Sequence, residues 1–124
     1  MNLEDQCVSL EYAKKLKELG LKQECHFSWV NINDGYKIWP SHMLNNHVCS
    51  AFTASELGEI QATEFISKEG WKGDFNITKF IDKNNQMTWC CSYGHARASF
   101  DSKLCDAMAK MLIRDIEEGN FKIE

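Results

Sequence analysis

The chain lacks several features that would assign it to a special class of protein. No hydrophobic run approaches the roughly 18 apolar residues of a membrane-spanning helix, so the sequence predicts no membrane association. Acidic residues outnumber basic ones, which gives a formal net charge of −4, and the only arginines are Arg97 and Arg114. Bulk binding of nucleic acid is therefore disfavoured, since it depends on many basic side chains. Pro40 is the single proline. The sequence contains no C-x-x-C pair, which is the usual sign of a structural zinc site.

The rest of the composition is that of an ordinary globular domain. Hydrophobic residues make up 44% and charged residues 26% of the 124 residues, which we interpret as one domain over 1–124. The segment Met1–Gln6 is acidic where a secretory signal would be basic and then apolar, so a cytoplasmic location is expected. The six cysteines are then expected to be reduced thiols, mostly acting as small buried hydrophobes.

Three helices and two β-hairpins are predicted along the chain. Ser9 can cap the first helix and Gly20 can end it. Thr53 and Glu56 have the spacing of a capping box for a short second helix. The last helix is the clearest, with apolar residues at helical spacing over Asp101–Glu118. The predicted elements are the helix 10–19, the strands 25–32 and 36–39, the helix 54–61, the strands 75–82 and 87–93, and the helix 101–118.

This order predicts an α+β fold, namely an antiparallel sheet of two β-hairpins with helices packed on one face and a long C-terminal helix. The segment 64–67 is expected to be a brief strand. The segments 41–50 and 94–99 are expected to be irregular, the second as a basic loop of small residues that leads into the last helix.

Three segments resemble a family of small bacteriophage and prophage proteins that have no established activity. They are Ser9–Glu24, Phe52–Glu59, and Asp106–Ile113 followed by Ile116 and Glu117. They occur in the same order and span most of the chain. The resemblance implies a phage accessory protein that acts inside a bacterial host. It brings no catalytic residue to any position of this chain.

The loop before the last helix is the predicted ligand site. The start of a helix has unpaired N–H groups and a partial positive charge, so it can bind phosphate or carboxylate. Arginine adds bidentate contacts to such groups, and Trp89 on the neighbouring strand could stack on a nucleobase. The alternative is an ordinary loop with Asp101 as the helix cap, and a carboxylate there would repel an anion. The predicted ligand-binding residues are Trp89, His95, Arg97, Ser99 and Ser102.

Two further kinds of chemistry have weaker signals. Cys90 or Cys91 with His95 as a base would form a nucleophilic pair, although no nucleophile motif surrounds them and a buried strand cysteine is the simpler interpretation. His42, His47 and Cys49 have poor spacing for zinc, so no metal and no cofactor are expected. The four tryptophans also suit a core or a subunit contact.

Two functional classes and a third, simpler one remain open. The favoured class is a homo-oligomeric phage accessory protein of the counter-defence type, which captures an anionic small molecule or a host protein without catalysis. Its concrete form is the sequestration of a nucleotide-like immune signal. The competing class is a small hydrolase that uses Cys90 or Cys91 and His95 on a phosphorylated or acylated substrate. The third is a protein-interaction module in phage replication.

Overall fold

The computed structural model describes residues 3–33, 35–41, 47–61, 64–66, 72–94 and 97–119. The helices are α1 (Leu3–Gln6), α2 (Leu10–Glu18), α3 (Ala54–Ile60) and α4 (Leu104–Glu117). The strands are β1 (Phe27–Ile32), β2 (Gly35–Pro40), β3 (His47–Ser50), β4 (Glu64–Ile66), β5 (Lys72–Ile81), β6 (Met87–Tyr93) and β7 (Arg97–Asp101). The α+β class and the long C-terminal helix are confirmed. None of the helices described is long and apolar enough to cross a membrane.

The strands form two antiparallel sheets. One has the order β2-β1-β3 and the other the order β4-β5-β6-β7. Both predicted hairpins are present, as β1 with β2 and β5 with β6, and the brief strand β4 is also where it was expected. The hairpins lie in different sheets because β3 pairs with the free edge of β1, while β4 and β7 take the two edges of the β5–β6 hairpin.

Helix α4 packs against the β6–β7 part of the larger sheet and against α2 and α3. Its apolar side chains form much of the core together with Phe52, Leu57 and Leu16 from the other helices and their flanks. The helix begins at Leu104 and not at Asp101. Asp101 is the last residue of β7, and its carboxylate accepts the backbone N–H of Lys103 at 3.1 Å. It therefore holds the residue that precedes the helix and is not the N-cap itself.

The two segments expected to be irregular contain strands. Residues 47–50 form β3, and the predicted basic loop contributes Arg97, Ala98 and Ser99 to β7. Two carbonyls of β7 accept hydrogen bonds from side chains of α4. Lys110 Nζ donates to the Phe100 carbonyl at 2.9 Å, and Arg114 Nη1 donates to the Ala98 carbonyl at 3.2 Å. An edge strand whose carbonyls are covered by a helix in this way is less available for pairing with another chain.

Ser9 does not use its side chain to cap α2 as expected. Its hydroxyl and its backbone N–H both donate to the carboxylate of Asp106 in the first turn of α4, the N–H at 2.7 Å. Because hydrogen bonds to charged acceptors are stronger than neutral ones, Asp106 joins the beginnings of the two helices. The capping box at Thr53 and Glu56 is confirmed, with both reciprocal hydrogen bonds present.

Gly73 lies where β5 passes very close to the end of β6. A Cβ at this position would lie 2.6 Å from the carbonyl carbon and 2.7 Å from the carbonyl oxygen of Tyr93. We expect Gly73→Ala to lower the free energy of unfolding by about 1–3 kcal/mol, because backbone atoms must move to admit the methyl group. Urea denaturation followed by circular dichroism measures this loss.

Gly58→Ala in α3 is the matched control for this substitution. Its Cβ would meet only Met108 Cε at 3.7 Å, an ordinary contact. The gain in helix propensity should stabilise the protein by up to about 1 kcal/mol. Equal effects of the two substitutions would contradict the close approach at Gly73.

Candidate functional site

The five predicted binding residues do not form one cluster. Trp89 and Ser102 line a common cavity of about 490 Å³. Arg97 and Ser99 lie elsewhere, on the buried face of β7. His95 lies outside the described residues. The structure therefore places two of the predicted residues at one site and assigns Arg97 and Ser99 to the sheet.

The guanidinium of Arg97 is bound to two carboxylates of α4 and its end. Nη2 lies 2.6 Å from Asp115 Oδ1, and Nη1 lies 2.6 Å from Glu118 Oε2. Burial tends to lower the pKa of Arg97, but its bonds with Glu118 and Asp115 raise it overall, so the group is charged at any ordinary pH. Arg97 thus fastens the start of β7 to the end of α4, and its contact with an anionic ligand stays a prediction.

The cavity that Trp89 lines, here called the indole cavity, lies where α1, α3, β6 and α4 meet. Trp89 is partly buried and packs against the core. The remaining wall comes from the end of α1 and from the beginnings of α3 and α4. Its lining residues are Asp5, Gln6, Thr53, Ala54, Ser55, Trp89, Ser102, Lys103, Leu104 and Cys105.

Local hydrogen bonds fix the wall of the indole cavity. The Glu56 carboxylate accepts the Thr53 backbone N–H at 2.9 Å and so holds the start of α3 in place. Cys105 in the first turn of α4 donates its thiol hydrogen to the Gln6 carbonyl at 2.9 Å, which joins α4 to α1. Thr53 and Cys105 thus hold the beginnings of α3 and α4 in place at the wall of the cavity.

The charges around the indole cavity are mixed. Lys79 Nζ lies 5.0 Å from the centroid of the Trp89 ring, a cation–π contact across neighbouring strands. Lys103 Nζ reaches the Ser9 hydroxyl at 3.3 Å, and Asp5 contributes a carboxylate to the wall. The start of α4 adds a partial positive charge. The cavity therefore offers an aromatic surface with two ammonium groups close by and one carboxylate in its lining.

The other tryptophans have different roles. Trp29 is buried and donates its Nε1–H to the Val8 carbonyl at 2.9 Å. Trp39 is exposed on β2, and Trp71 lies outside the described residues. Trp29 is thus a core residue, and Trp89 alone among the described tryptophans lines the indole cavity.

The cysteines of β6 are poorly suited to nucleophilic chemistry. Cys91 is fully buried, and burial raises the pKa of its thiol to about 12. Burial also raises the pKa of Cys90 on the opposite face. A reactive cysteine needs the reverse shift. Within the part of the chain that the structure describes, no three His, Cys, Asp or Glu side chains are grouped to hold a metal, and His42 lies outside that part.

Comparison of the chain with protein-family models, with curated proteins and with solved structures gives no match. The site is therefore interpreted from its own geometry. Sequence reasoning missed Thr53, Ser55 and Lys103 as cavity residues. The capping box and the start of the last helix were both visible signals, but their proximity depends on contacts between α3 and α4 that no local pattern reveals.

Proposed function

We propose that this protein is a non-catalytic binding protein that holds a nucleotide-like molecule in the indole cavity. The observation that carries the proposal is the presence of Trp89 and Ser102 on the wall of one cavity of about 490 Å³. In the setting that the phage resemblance implies, the protein acts in the cytoplasm of a bacterial host. There it removes a nucleotide-like immune signal by sequestration.

The physical support comes from size and from chemistry. Small-molecule sites typically enclose about 300–1,000 Å³, so the cavity has a suitable volume. Stacking of a base on an indole contributes about 1–3 kcal/mol. The Lys103 ammonium and the start of α4 are suitable partners for a phosphate group. The bound molecule would displace or share the Lys79 contact with the indole ring.

The raised pKa values of the β6 thiols support a function without cysteine-dependent catalysis. A hydrolase that uses Cys90 or Cys91 needs a thiolate, and burial raises the pKa of both groups. The interaction-module alternative is favoured by exposed apolar side chains, of which Ile81 and Phe100 are the most exposed, at 61% and 50%. A homo-oligomer could cover such side chains, and it stays part of the proposal.

Trp89→Ala tests the ligand and its place. Protein purified from a bacterial host should release an intact nucleotide-like compound on heating, which mass spectrometry identifies. Calorimetric titration with that compound should show binding to the wild type that is weaker by about tenfold or more in Trp89→Ala, because the stacking surface is lost. Trp39→Ala is the matched control, since Trp39 is exposed on β2 and does not line the cavity.

The outcomes separate the functional classes. Recovery of a hydrolysed product, or turnover of the added compound, would favour the hydrolase. Equal affinity of Trp89→Ala and Trp39→Ala would place the ligand away from the indole cavity. If neither the released fraction nor a panel of cyclic and linear nucleotides binds, the sequestration proposal fails.

A further inference from the structure

A second cavity borders β3, an edge strand of the three-stranded sheet, with Lys17 of α2 in its wall. It has a volume of about 390 Å³, and its wall includes the polar side chains of Lys17, Gln23, Ser28, Ser41, His47 and Ser50. We call it the serine pocket. None of its described lining residues lines the indole cavity, and none carries a carboxylate.

Two serines of this pocket, Ser28 and Ser50, are buried at strand positions where apolar side chains are the usual choice. Ser28 on β1 and Ser50 on β3 are directly opposite each other in the sheet, and they are only 3% and 2% exposed. Burying a hydroxyl is unfavourable unless it forms hydrogen bonds. Two paired serines facing a cavity therefore indicate a surface that is built for a polar occupant.

Among the described residues, the side-chain partners of the Ser28 and Ser41 hydroxyls are each other and the sulfur of Cys25. Their oxygens are 2.7 Å apart, so one hydroxyl donates to the other. The second hydrogen is left with the Cys25 sulfur, at 4.0 Å from Ser28 or 3.6 Å from Ser41. Sulfur is a weak acceptor, and the Cys25 thiol already donates to the Phe27 carbonyl at 2.7 Å. An oxyanion in the pocket would be a better acceptor for that hydrogen.

Positive charge acts on the same wall. Lys17 Nζ donates to the Val48 carbonyl at 2.7 Å, which fixes the ammonium at the pocket and leaves two of its hydrogens for other acceptors. Burial raises the pKa of the Cys49 thiol in this wall, whereas the charges of Lys17 and Lys14 lower it. Both lysines therefore make the local potential more positive.

Gln23 bridges two backbone groups at the edge of the pocket. Its Oε1 accepts the Ser50 backbone N–H at 2.7 Å, and its Nε2 donates to the Leu21 carbonyl at 2.9 Å. The Ser50 amide consequently has a fixed environment beside the pocket, and it can report on an occupant by nuclear magnetic resonance.

We propose that the serine pocket binds a small phosphate-type oxyanion, with Lys17 as its countercharge and the serine hydroxyls as its hydrogen-bond donors. The site goes beyond the proposed nucleotide cavity, because it is formed by different elements and different residues. The oxyanion is either free phosphate or the phosphate group of a small metabolite.

Titration of the ¹⁵N-labelled full chain tests this site. The two probes are inorganic phosphate and glycerol 3-phosphate, each compared with sodium chloride at the same ionic strength. At least one probe should shift the Ser50 amide signal saturably, while the Asn84 amide, which donates to the Asp82 carboxylate in the β5–β6 turn, stays unchanged. Saturation by phosphate alone identifies the free ion as the ligand, and tighter binding of the ester identifies a metabolite.

Lys17→Met should weaken the binding about tenfold or more, because it removes a charge-assisted hydrogen bond and keeps the aliphatic stem. Lys83→Met is the matched control, since Lys83 is exposed in the turn between β5 and β6 and lines neither the serine pocket nor the indole cavity. Ser41→Ala should also weaken binding, and it tests the hydroxyl separately from the charge. If neither probe gives a saturable shift, or if the lysine variants bind equally well, the proposal is wrong and any residual effect is that of an adventitious ion only.

Discussion

Asp115→Ala is expected to lower the free energy of unfolding by about 3 kcal/mol, the low end of the usual cost of removing one partner from a buried ion pair, because Glu118 still neutralises part of the guanidinium charge. Arg97 and Asp115 are 9% and 6% exposed, and their contact of 2.6 Å joins the first residue of β7 to the last turn of α4. Removing the Asp115 carboxylate leaves the buried guanidinium to the half-exposed carboxylate of Glu118. Urea denaturation monitored by circular dichroism measures the loss.

Glu118→Ala is the matched control, because Glu118 binds the same guanidinium at the same distance of 2.6 Å but is half-exposed. Surface ion pairs contribute about 0–1 kcal/mol, so this variant should stay close to the wild type. The double variant Arg97→Met/Asp115→Leu should be more stable than Asp115→Ala alone, since an apolar pair leaves no buried charge. Similar small losses for Asp115→Ala and Glu118→Ala would show that the network is solvated.

The Arg97 pair also explains why sequence reasoning misjudged this region. A strand with one buried face is recognised by apolar residues at every second position. In β7 the positions that face α4 are Arg97, Ser99 and Asp101, whereas the outward positions include the exposed Phe100. The polarity is inverted, so the segment has the composition of a loop. Its partners Asp115 and Lys110 become visible only when α4 lies on the sheet.

The elements that the sequence did predict have local causes. The capping box of α3 depends on residues three positions apart, and the turn between β5 and β6 depends on the Asp82 carboxylate, which accepts the backbone N–H groups of Asn84 and Gln86. By contrast, Ser9 donates to Asp106, which is 97 positions away in the chain. Prediction from sequence fails at a residue such as Ser9, which has a possible local partner but binds a distant one.

The same distinction separates the two cavities. Trp89 and Ser102 could be proposed from sequence because an aromatic residue and a helix start are recognisable features. The serine pocket could not, because Ser28, Ser41 and Ser50 come from segments that meet only through strand pairing and the chain that follows β2. A single serine has no distinctive sequence pattern. These serines indicate a binding site only because they line the same pocket as Lys17.

Alkaline pH is expected to destabilise the protein strongly through its buried thiols, and Cys91→Ala should remove part of that effect. Burial raises the pKa of Cys91 from 9.0 to about 12 and that of Cys7 to about 12. Below pH 9 each thiol is neutral in both the folded and the unfolded state, so its stabilising contribution is fully present. Between about pH 9 and pH 12 the unfolded state ionises first. Each thiol should then cost about 1.4 kcal/mol per pH unit.

The slope of the free energy of unfolding against pH therefore measures the ionisation of the thiol. The packing lost in Cys91→Ala lowers the free energy of unfolding by the same amount at every pH and leaves the slope unchanged. In reducing buffer, the free energy of unfolding of this variant should fall with pH less steeply than that of the wild type, by about 1.4 kcal/mol per pH unit. Cys90→Ala is the matched control, because Cys90 is the adjacent, partly exposed thiol and should change the slope less. Equal slopes for all three proteins would mean that Cys91 ionises as easily in the folded state as in the unfolded one. That result would remove the pKa argument against a Cys91-dependent hydrolase, and it would weaken the non-catalytic proposal.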